Sequence, residues 1–365
     1  MPMNTLARLR KPQAAVIAVT IAAGVIGGVL YANYASTSPL ASAGNSVSPA
    51  DPQVEQIYHL DDESHVFAMH WRGNDELWFV ASAPDGTLAL NRYTMSSKAK
   101  ASWPVPVKAN QTIYTFLVED RGGLLWVGAN YTLAAFDPGS ASFVFAQELD
   151  PQPAELDPGA AAAGYFDGSW ITGMISDPAG SIVLARHNTN ALFGVETDGI
   201  SLLRRLERPP TGLRLVGGEV QGIARENDNV AIIGTQQVEP LRSLGDSGCS
   251  LVEGAPGEGA TLVAGGVEIA SGLLIAPEDP IVVDAKAQRV LLGVANAGAL
   301  VLADCLDGSA SAFMLGSELA YVDGIVGGKD FSEPIENLYF AEAVALSPSG
   351  GVAASVSNHE VVVIR

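Results

Sequence analysis

The stretch Thr115–Pro138, TFLVEDRGGLLWVGANYTLAAFDP, limits the fold more than any other part of this chain. An apolar run leads into an Asp-x-Gly-Gly turn at Asp120, then a Leu-Trp-Val-Gly strand, then a third short strand ending in Phe136-Asp137-Pro138. The turn has a local cause. An Asp side chain caps it, and Gly accepts the positive φ that other residues resist. Weaker copies of the unit recur. Aligned with it, the six units start at His65 (HVFAMHWRGNDELWFVAS), Thr112 (TIYTFLVEDRGGLLWVGA, the opening unit itself), Trp170 (WITGMISDPAGSIVLARH), Glu219 (EVQGIARENDNVAIIGTQ), Asp279 (DPIVVDAKAQRVLLGVAN) and Phe340 (FAEAVALSPSGGVAASVS).

Successive starts lie 47, 58, 49, 60 and 61 residues apart. From Val54 onward the strands are short, divided by Gly, Asp, Pro and Asn, with no long amphipathic helical period. Repetition at this period in an all-β pattern implies four-stranded blades around an axis, a β-propeller. Six aligned units over residues 54–365 allow about 52 residues each, so six blades are favoured over seven. A seventh short blade has room only in the Gly-rich region Ser243–Ser271. The last unit is too short for four strands. The segment Val54–Leu60 can complete it and close the ring, leaving no open edge there. Trp78, Trp126, Leu184, Ile232, Leu292 and Val352 follow the turns and are expected to pack between blades.

The unit EDRGGLLWVGANYTLAAFDPGS resembles the repeats of two-component-regulator-type propellers, which read roughly D-x-x-G-x-L-W-x-G-T and end in Phe-Asp. It is also similar to the wider group of NHL-type and virginiamycin B lyase-like propellers. The match covers Asp120–Pro138, is partial around Asp177 and at Ser347-Pro348-Ser349-Gly350, and is poor in the fourth and fifth units. Ala129 stands where the motif has Thr. The resemblance implies a sensor or binding module. The matched residues are structural, so no catalytic residue comes with them.

The N-terminus carries a different signal. Arg8, Arg10 and Lys11 precede Ala14–Ala32, an uncharged apolar run of 19 residues. A helix of about 20 apolar residues spans a bilayer, and the flanking cations place the preceding end in the cytoplasm. The resulting organisation is a cytoplasmic basic segment (1–13), a transmembrane signal anchor (14–32), a flexible linker (33–53) and an extracytoplasmic propeller (54–365). Ala41-Ser42-Ala43 offers a cleavage alternative. The biased Ala, Gly and Arg usage suggests a bacterial source, hence a single-pass protein of the bacterial cell membrane.

Acidic residues outnumber basic ones 40 to 20, for a formal charge of −20. Nucleic-acid binding needs clustered Lys and Arg, and the one such group past the N-terminus is Arg204, Arg205 and Arg208. No nucleic-acid partner is expected. In a propeller, the starts of the first strands and the loops after the second strands share one face. That rule assembles a ligand-binding mouth from His65, Asn130, Tyr131, Trp170, Arg186, His187, Asn188, Tyr339, Glu342, Asn358 and His359. No catalytic set is recognisable: Gly245-Asp-Ser-Gly248 reads as a turn, since a serine nucleophile needs a base and an orienting acid. No metal-ligand spacing and no cofactor motif occur. Cys249 and Cys305, the only cysteines, can pair in an oxidising compartment. The function expected is a non-catalytic binding or scaffold module with a protein or cell-envelope partner, an accessory subunit of a membrane complex. A lactonase- or lyase-like enzyme, with His187 or His359 as base, and a ligand sensor are the alternatives.

Overall fold

The computed structural model describes residues 54–60, 64–106, 115–151, 153, 168–216, 219–226, 229–234, 238–240, 244, 247–253, 260–273, 281–284, 286–294, 299–314, 320–322, 343–356 and 360–364. All regular structure among them is strand and short turn. The chain enters on β1 (Val54–His59), then forms a first sheet of β2 (Val66–Arg72), β3 (Glu76–Ser82), β4 (Leu88–Thr94) and β5 (Ala99–Pro104). The second sheet holds β6 (Thr115–Glu119), β7 (Leu125–Ala129), β8 (Thr132–Asp137) and β9 (Ser142–Glu148). The third holds β10 (Ile171–Ser176), β11 (Ile182–Arg186), β12 (Ala191–Glu196) and β13 (Gly199–Arg205). The fourth holds β14 (Gly212–Val216), β15 (Glu219–Glu226), β16 (Asn229–Ile232) and β17 (Val238–Pro240). A three-stranded fifth sheet follows, with β18 (Cys249–Glu253), β19 (Ala260–Ala264) and β20 (Val267–Leu273). The sixth has five strands, β21 (Ile281–Asp284), β22 (Arg289–Val294), β23 (Ala299–Asp304), β24 (Ser309–Met314) and β25 (Ala320–Val322). The last is built from β26 (Val344–Leu346), β27 (Val352–Val356), β28 (Glu360–Ile364) and the returning β1.

Every pairing is antiparallel between sequence neighbours except β1 with β28, where Val54 faces Ile364 and His59 faces Glu360. The first segment thus completes the last sheet, as the short sixth unit requires. First strands lie side by side: β26 against β2, β2 against β6, β6 against β10, β10 against β14, and β21 against β26. This is the arrangement of a β-propeller.

The turn chemistry does what the motif demands. Asp120 accepts from Leu124 N at 2.9 Å through Oδ1, and from the Trp126 indole at 2.9 Å through Oδ2. The same geometry recurs at Asp177, which accepts from Ser181 N at 2.8 Å, and at Ser347, whose hydroxyl accepts from Gly351 N at 2.8 Å. Gly180 closes the third-sheet turn at φ 83°, and Arg121 of the second sheet presses on it. A Cβ there would fall 2.2 Å from Arg121 Cβ, so this turn admits only glycine.

The core lies between sheets rather than within any one of them. Trp78, Leu88 and Leu90 of the first sheet pack on Leu117, Leu125 and Phe136 of the second. Trp126 and Leu133 of the second pack on Ile171, Leu184 and Phe193 of the third. Of the residues expected between blades, Trp78, Trp126, Leu184, Leu292 and Val352 are all at most 1% exposed. Burying one tryptophan removes about 200 Å² from water, about 5 kcal/mol at the usual area coefficient.

Two features depart from the sequence reading. Seven sheets are described where six units aligned. The additional one, β18–β20, occupies the Gly-rich region Ser243–Ser271 and turns through Gly265 and Gly266, both at positive φ. The fourth unit is also offset by one strand. Glu219–Glu226 is the second strand of its sheet, since β14 precedes it and Val216 pairs with Glu219. Ile232 therefore ends a third strand. The additional sheet lies where the sequence left room for a seventh short blade; Gly265-Gly266 joins β19 to β20 as a tight two-residue connection, and such a turn needs no capping Asp. Among the described residues no helix is long and apolar enough to cross a membrane, and Ala14–Ala32 lies outside them.

Candidate functional site

Strand pairing shows which residues share an end of the molecule. Ile171 pairs with Arg186, Ala185 with Leu192, and Ala191 with Arg205. The start of β10, the end of β11, the start of β12 and the end of β13 therefore lie together. This end is the mouth. The turn Asn130-Tyr131 occupies the same end of the second sheet, where Ala129 pairs with Thr132.

The two sheets meet there. Ile171 N donates to Asn130 O at 2.8 Å, and Leu149 N to Tyr131 O at 2.6 Å. The Tyr131 hydroxyl sits over Gly168, where a Cβ would lie 2.1 Å from it. Asn130 and Asn188 hold equivalent turn positions at φ 48° and 54°. Asn is among the few residues that take that conformation readily.

Trp170 and His187 form the centre of the site. Their rings stack at 3.8 Å between centroids, tilted by 14°, and His187 N donates to Trp170 O at 2.7 Å. Both residues are half-buried. Burial against the indole lowers the His187 pKa below its ordinary 6.5, so the imidazole is neutral at neutral pH. The result is a flat, uncharged aromatic shelf.

Arg186 behaves otherwise than an anion-binding arginine. It is 5% exposed. Its Nε donates to Ser169 O at 3.1 Å, and Nη2 donates to Ser169 O at 2.6 Å and to Asp150 O. The guanidinium faces the backbone and staples the loop that carries Trp170. Ser169 and Thr189 continue the staple: their hydroxyls are 2.6 Å apart, and Thr189 Oγ1 donates to His187 O at 3.1 Å. Sequence reasoning missed Asp150, Gly168, Ser169 and Thr189. They carry no repeat signal: Asp150 and Ser169 meet Arg186, Gly168 meets Tyr131, and Thr189 meets Ser169, each across loops.

Of the expected mouth residues, Asn130, Tyr131, Trp170, Arg186, His187 and Asn188 come together. His65 starts the first sheet, exposed, stacked on Phe67 at 6.2 Å and apart from that cluster. Tyr339, Glu342, Asn358 and His359 lie outside the described residues. Among the described residues no three His, Cys, Asp or Glu side chains gather as a metal would require. Cys249 and Cys305 are joined, with sulfurs 2.03 Å apart, and link the fifth sheet to the sixth. Ser247 of the Gly-Asp-Ser-Gly stretch is fully buried and its hydroxyl accepts from Cys249 N at 3.1 Å, the geometry of a turn.

A second polar cluster, unseen in the sequence, lies at the opposite end between the first and second sheets. Glu119 accepts from Arg72 Nε at 3.0 Å and sits 3.2 Å from His70 Nε2. The hydrogen bond with His70 is the largest cause holding the Glu119 carboxyl below its usual range, with Arg72 adding to it against the opposing effect of burial. Glu76 binds Arg72, Arg92 and the Trp78 indole at 3.2–3.5 Å. Burial works against the Arg72 charge, but its bonds to Glu119 and Glu76 outweigh that and raise its pKa.

No protein-family model matches the chain, and no curated protein matches it. Solved structures do. YCF48 bound to a D1 peptide is 11% identical, covering 90% of this chain and 98% of that one at a TM-score of 0.53. A catalytically inactive virginiamycin B lyase from Staphylococcus aureus, with quinupristin, is 9% identical, covering 86% and 99% at 0.52.

The fold is a β-propeller.

At such identities the likeness extends to the fold alone. A gluconolactonase from Xanthomonas campestris is similar at 11% identity, covering 90% and 97% with a TM-score of 0.42. The structures similar at a TM-score above 0.5 thus include a lyase and a protein bound to a peptide, and the function has to be argued from this chain's own mouth.

Proposed function

We propose that this chain is a seven-bladed propeller, anchored by residues 14–32 in a bacterial cell membrane and exposed outside the cytoplasm, that binds a protein partner at the mouth of its second and third sheets. The observation that carries this reading is the Trp170–His187 stack. It is neutral, half-open and rigidly backed by Arg186. Such a shelf suits an apolar or aromatic side chain, because stacked rings offer much contact area at little entropic cost. A catalytic centre needs a base with an orienting partner and a stabiliser of developing charge. Here Arg186 is turned to backbone carbonyls and His187 lies flat on an indole.

Two further facts support the arrangement. Val54 pairs with the end of β28, so the chain enters at the end opposite the mouth. A linker at 33–53 then attaches the membrane to the far end and leaves the mouth directed outward. The Cys249–Cys305 bond suits an oxidising compartment. In the YCF48 structure the propeller holds a peptide, and a peptide segment is the kind of partner proposed here. The module then acts as a scaffold or accessory subunit of an envelope complex.

The test is quantitative co-purification of the full chain in mild detergent, compared with W170A/H187A. The proposal expects a defined protein present with the wild type and lost with the variant. Identical recoveries from both would overturn it. So would turnover of a lactone or a streptogramin by the wild type that H187A abolishes.

A further inference from the structure

The third sheet carries a second unusual feature at the end that holds the Trp170–His187 stack. Its outer strand, β13, is exposed from Ser201 to Arg205. Leu202 and Leu203 are 42% and 58% exposed. Arg204 and Arg205 end the strand, and Arg208 follows in the loop to β14. Glu207 is the one acidic residue in that stretch, which stays net positive within a chain of charge −20.

The placement is fixed by pairing. Arg205 faces Ala191, and Ala191 begins the strand that follows the His187 turn. Two strand spacings separate β11 from β13, about 10 Å. About three residues of extended chain cover that distance. Leu203 is the extra residue of a bulge, since Leu192 faces Arg204 and Phe193 faces Leu202. Arg204 leans toward the fourth sheet, donating to Val220 O at 2.9 Å. Arg205 is exposed, on the opposite side of the strand by alternation.

A bulge and charges also blunt a sheet edge against aggregation. That role accepts charge of either sign, and exposed leucines work against it. In a chain with twice as many acidic as basic residues, a carboxylate would serve it equally. The local reversal of sign, beside an aromatic shelf and two exposed leucines, needs another cause.

We propose that the mouth end of the third sheet recognises an extended acidic segment of a partner protein. An apolar or aromatic residue seats on Trp170 and His187, and a carboxylate three to four residues away meets Arg205. The inference rests on the binding reading above and specifies the partner's chemistry. Charge pairs at a rim act chiefly on partner choice and encounter rate, and the buried ring supplies the anchor.

The test uses the full chain in detergent and a fluorescein-labelled decapeptide with one Phe placed three residues before a run of three Glu. Two further peptides replace Glu with Gln or with Lys. The acidic peptide is expected to bind at least about tenfold more tightly than either control, and the preference should shrink with salt. R204E/R205E should remove the preference and favour the Lys peptide, while W170A weakens all three peptides alike. Equal binding of the Lys and Glu peptides overturns the inference, as does no binding of the acidic peptide at about 1 mM. Binding of monomeric dihexanoylphosphatidylglycerol in place of the peptide, abolished by R204E/R205E, assigns the arginines to lipid and also overturns it. If any of these occurs while the W170A/H187A-sensitive co-purification persists, only the acidic-segment inference falls. Loss of that co-purification result as well removes the binding reading itself.

Discussion

Two clusters at opposite ends of the second sheet, one where it meets the third sheet and one where it meets the first, use the same kinds of residue for opposite purposes. At the mouth, Arg186 is buried on the Ser169 and Asp150 carbonyls, and His187 lies neutral on Trp170. At the other end, Arg72 and His70 meet the Glu119 carboxylate, and Arg92 lies over Trp78 and Trp103 while reaching Glu76. One arginine is a staple for a loop and the other is part of an ion network. Residue type thus fails to report role. What reports it is whether the nearest acceptor is a neutral carbonyl or a carboxylate, and how much water reaches the pair.

The largest expected effect comes from R186M. It leaves the Ser169 and Asp150 carbonyls without their donor and should cost about 3 kcal/mol in urea unfolding, with little dependence on salt. A loss below about 1 kcal/mol would mean that the loop is held by other contacts. G168A comes next. Its new methyl group would occupy the place of the Tyr131 hydroxyl, for about 2 kcal/mol of strain. The cost should vanish when G168A is measured in a Y131A background, and an undiminished cost there would show that Tyr131 is not the obstacle.

E119Q sharpens the comparison from the other end. It removes one charge from a partly open network, for about 1 kcal/mol that fades as salt is raised. A salt-independent loss would place this network in the same class as the mouth.

The smallest effect separates the ends by pH. His187 has a folded pKa below its ordinary 6.5, so the unfolded chain takes the proton first. Its contribution is whole above pH 6.5 and is lost as pH falls through the folded value. Glu119 is held below its ordinary 4.5. Its contribution is whole above pH 4.5 and is lost only as pH falls further, through its folded value. Stability measured against pH should therefore decline in two windows. H187F should erase the upper one and E119Q the lower. A single window unchanged by H187F would refute the neutral stack.

Much of this was legible before any coordinates. Asp120, Asp177 and Ser347 announce turns because their side chains cap local backbone, an interaction complete within five residues. Position within the repeat was enough to say that Asn130, Tyr131, Trp170, Arg186 and His187 share one end. The seventh sheet was legible only as spare room in Ser243–Ser271, because the Gly265-Gly266 connection leaves no capping residue to recognise, and the true first strand of the fourth was hidden. Nothing in the sequence distinguishes Arg186 from Arg72. One strand's length and one loop's path decide which acceptor each guanidinium meets.

The sequence by itself determined the architecture: short strands, capped turns and a first segment spare enough to complete the last sheet. These follow from local hydrogen bonding and from alternation of apolar residues, both written within a few positions of the chain. Only the tertiary structure decided the chemistry of the mouth. The Tyr131–Gly168 contact, the Arg186 staple and the alignment of Arg205 with the aromatic shelf each join residues 14 to 37 positions apart. Such contacts depend on how neighbouring sheets meet and register, and that is set by the packed interfaces between them.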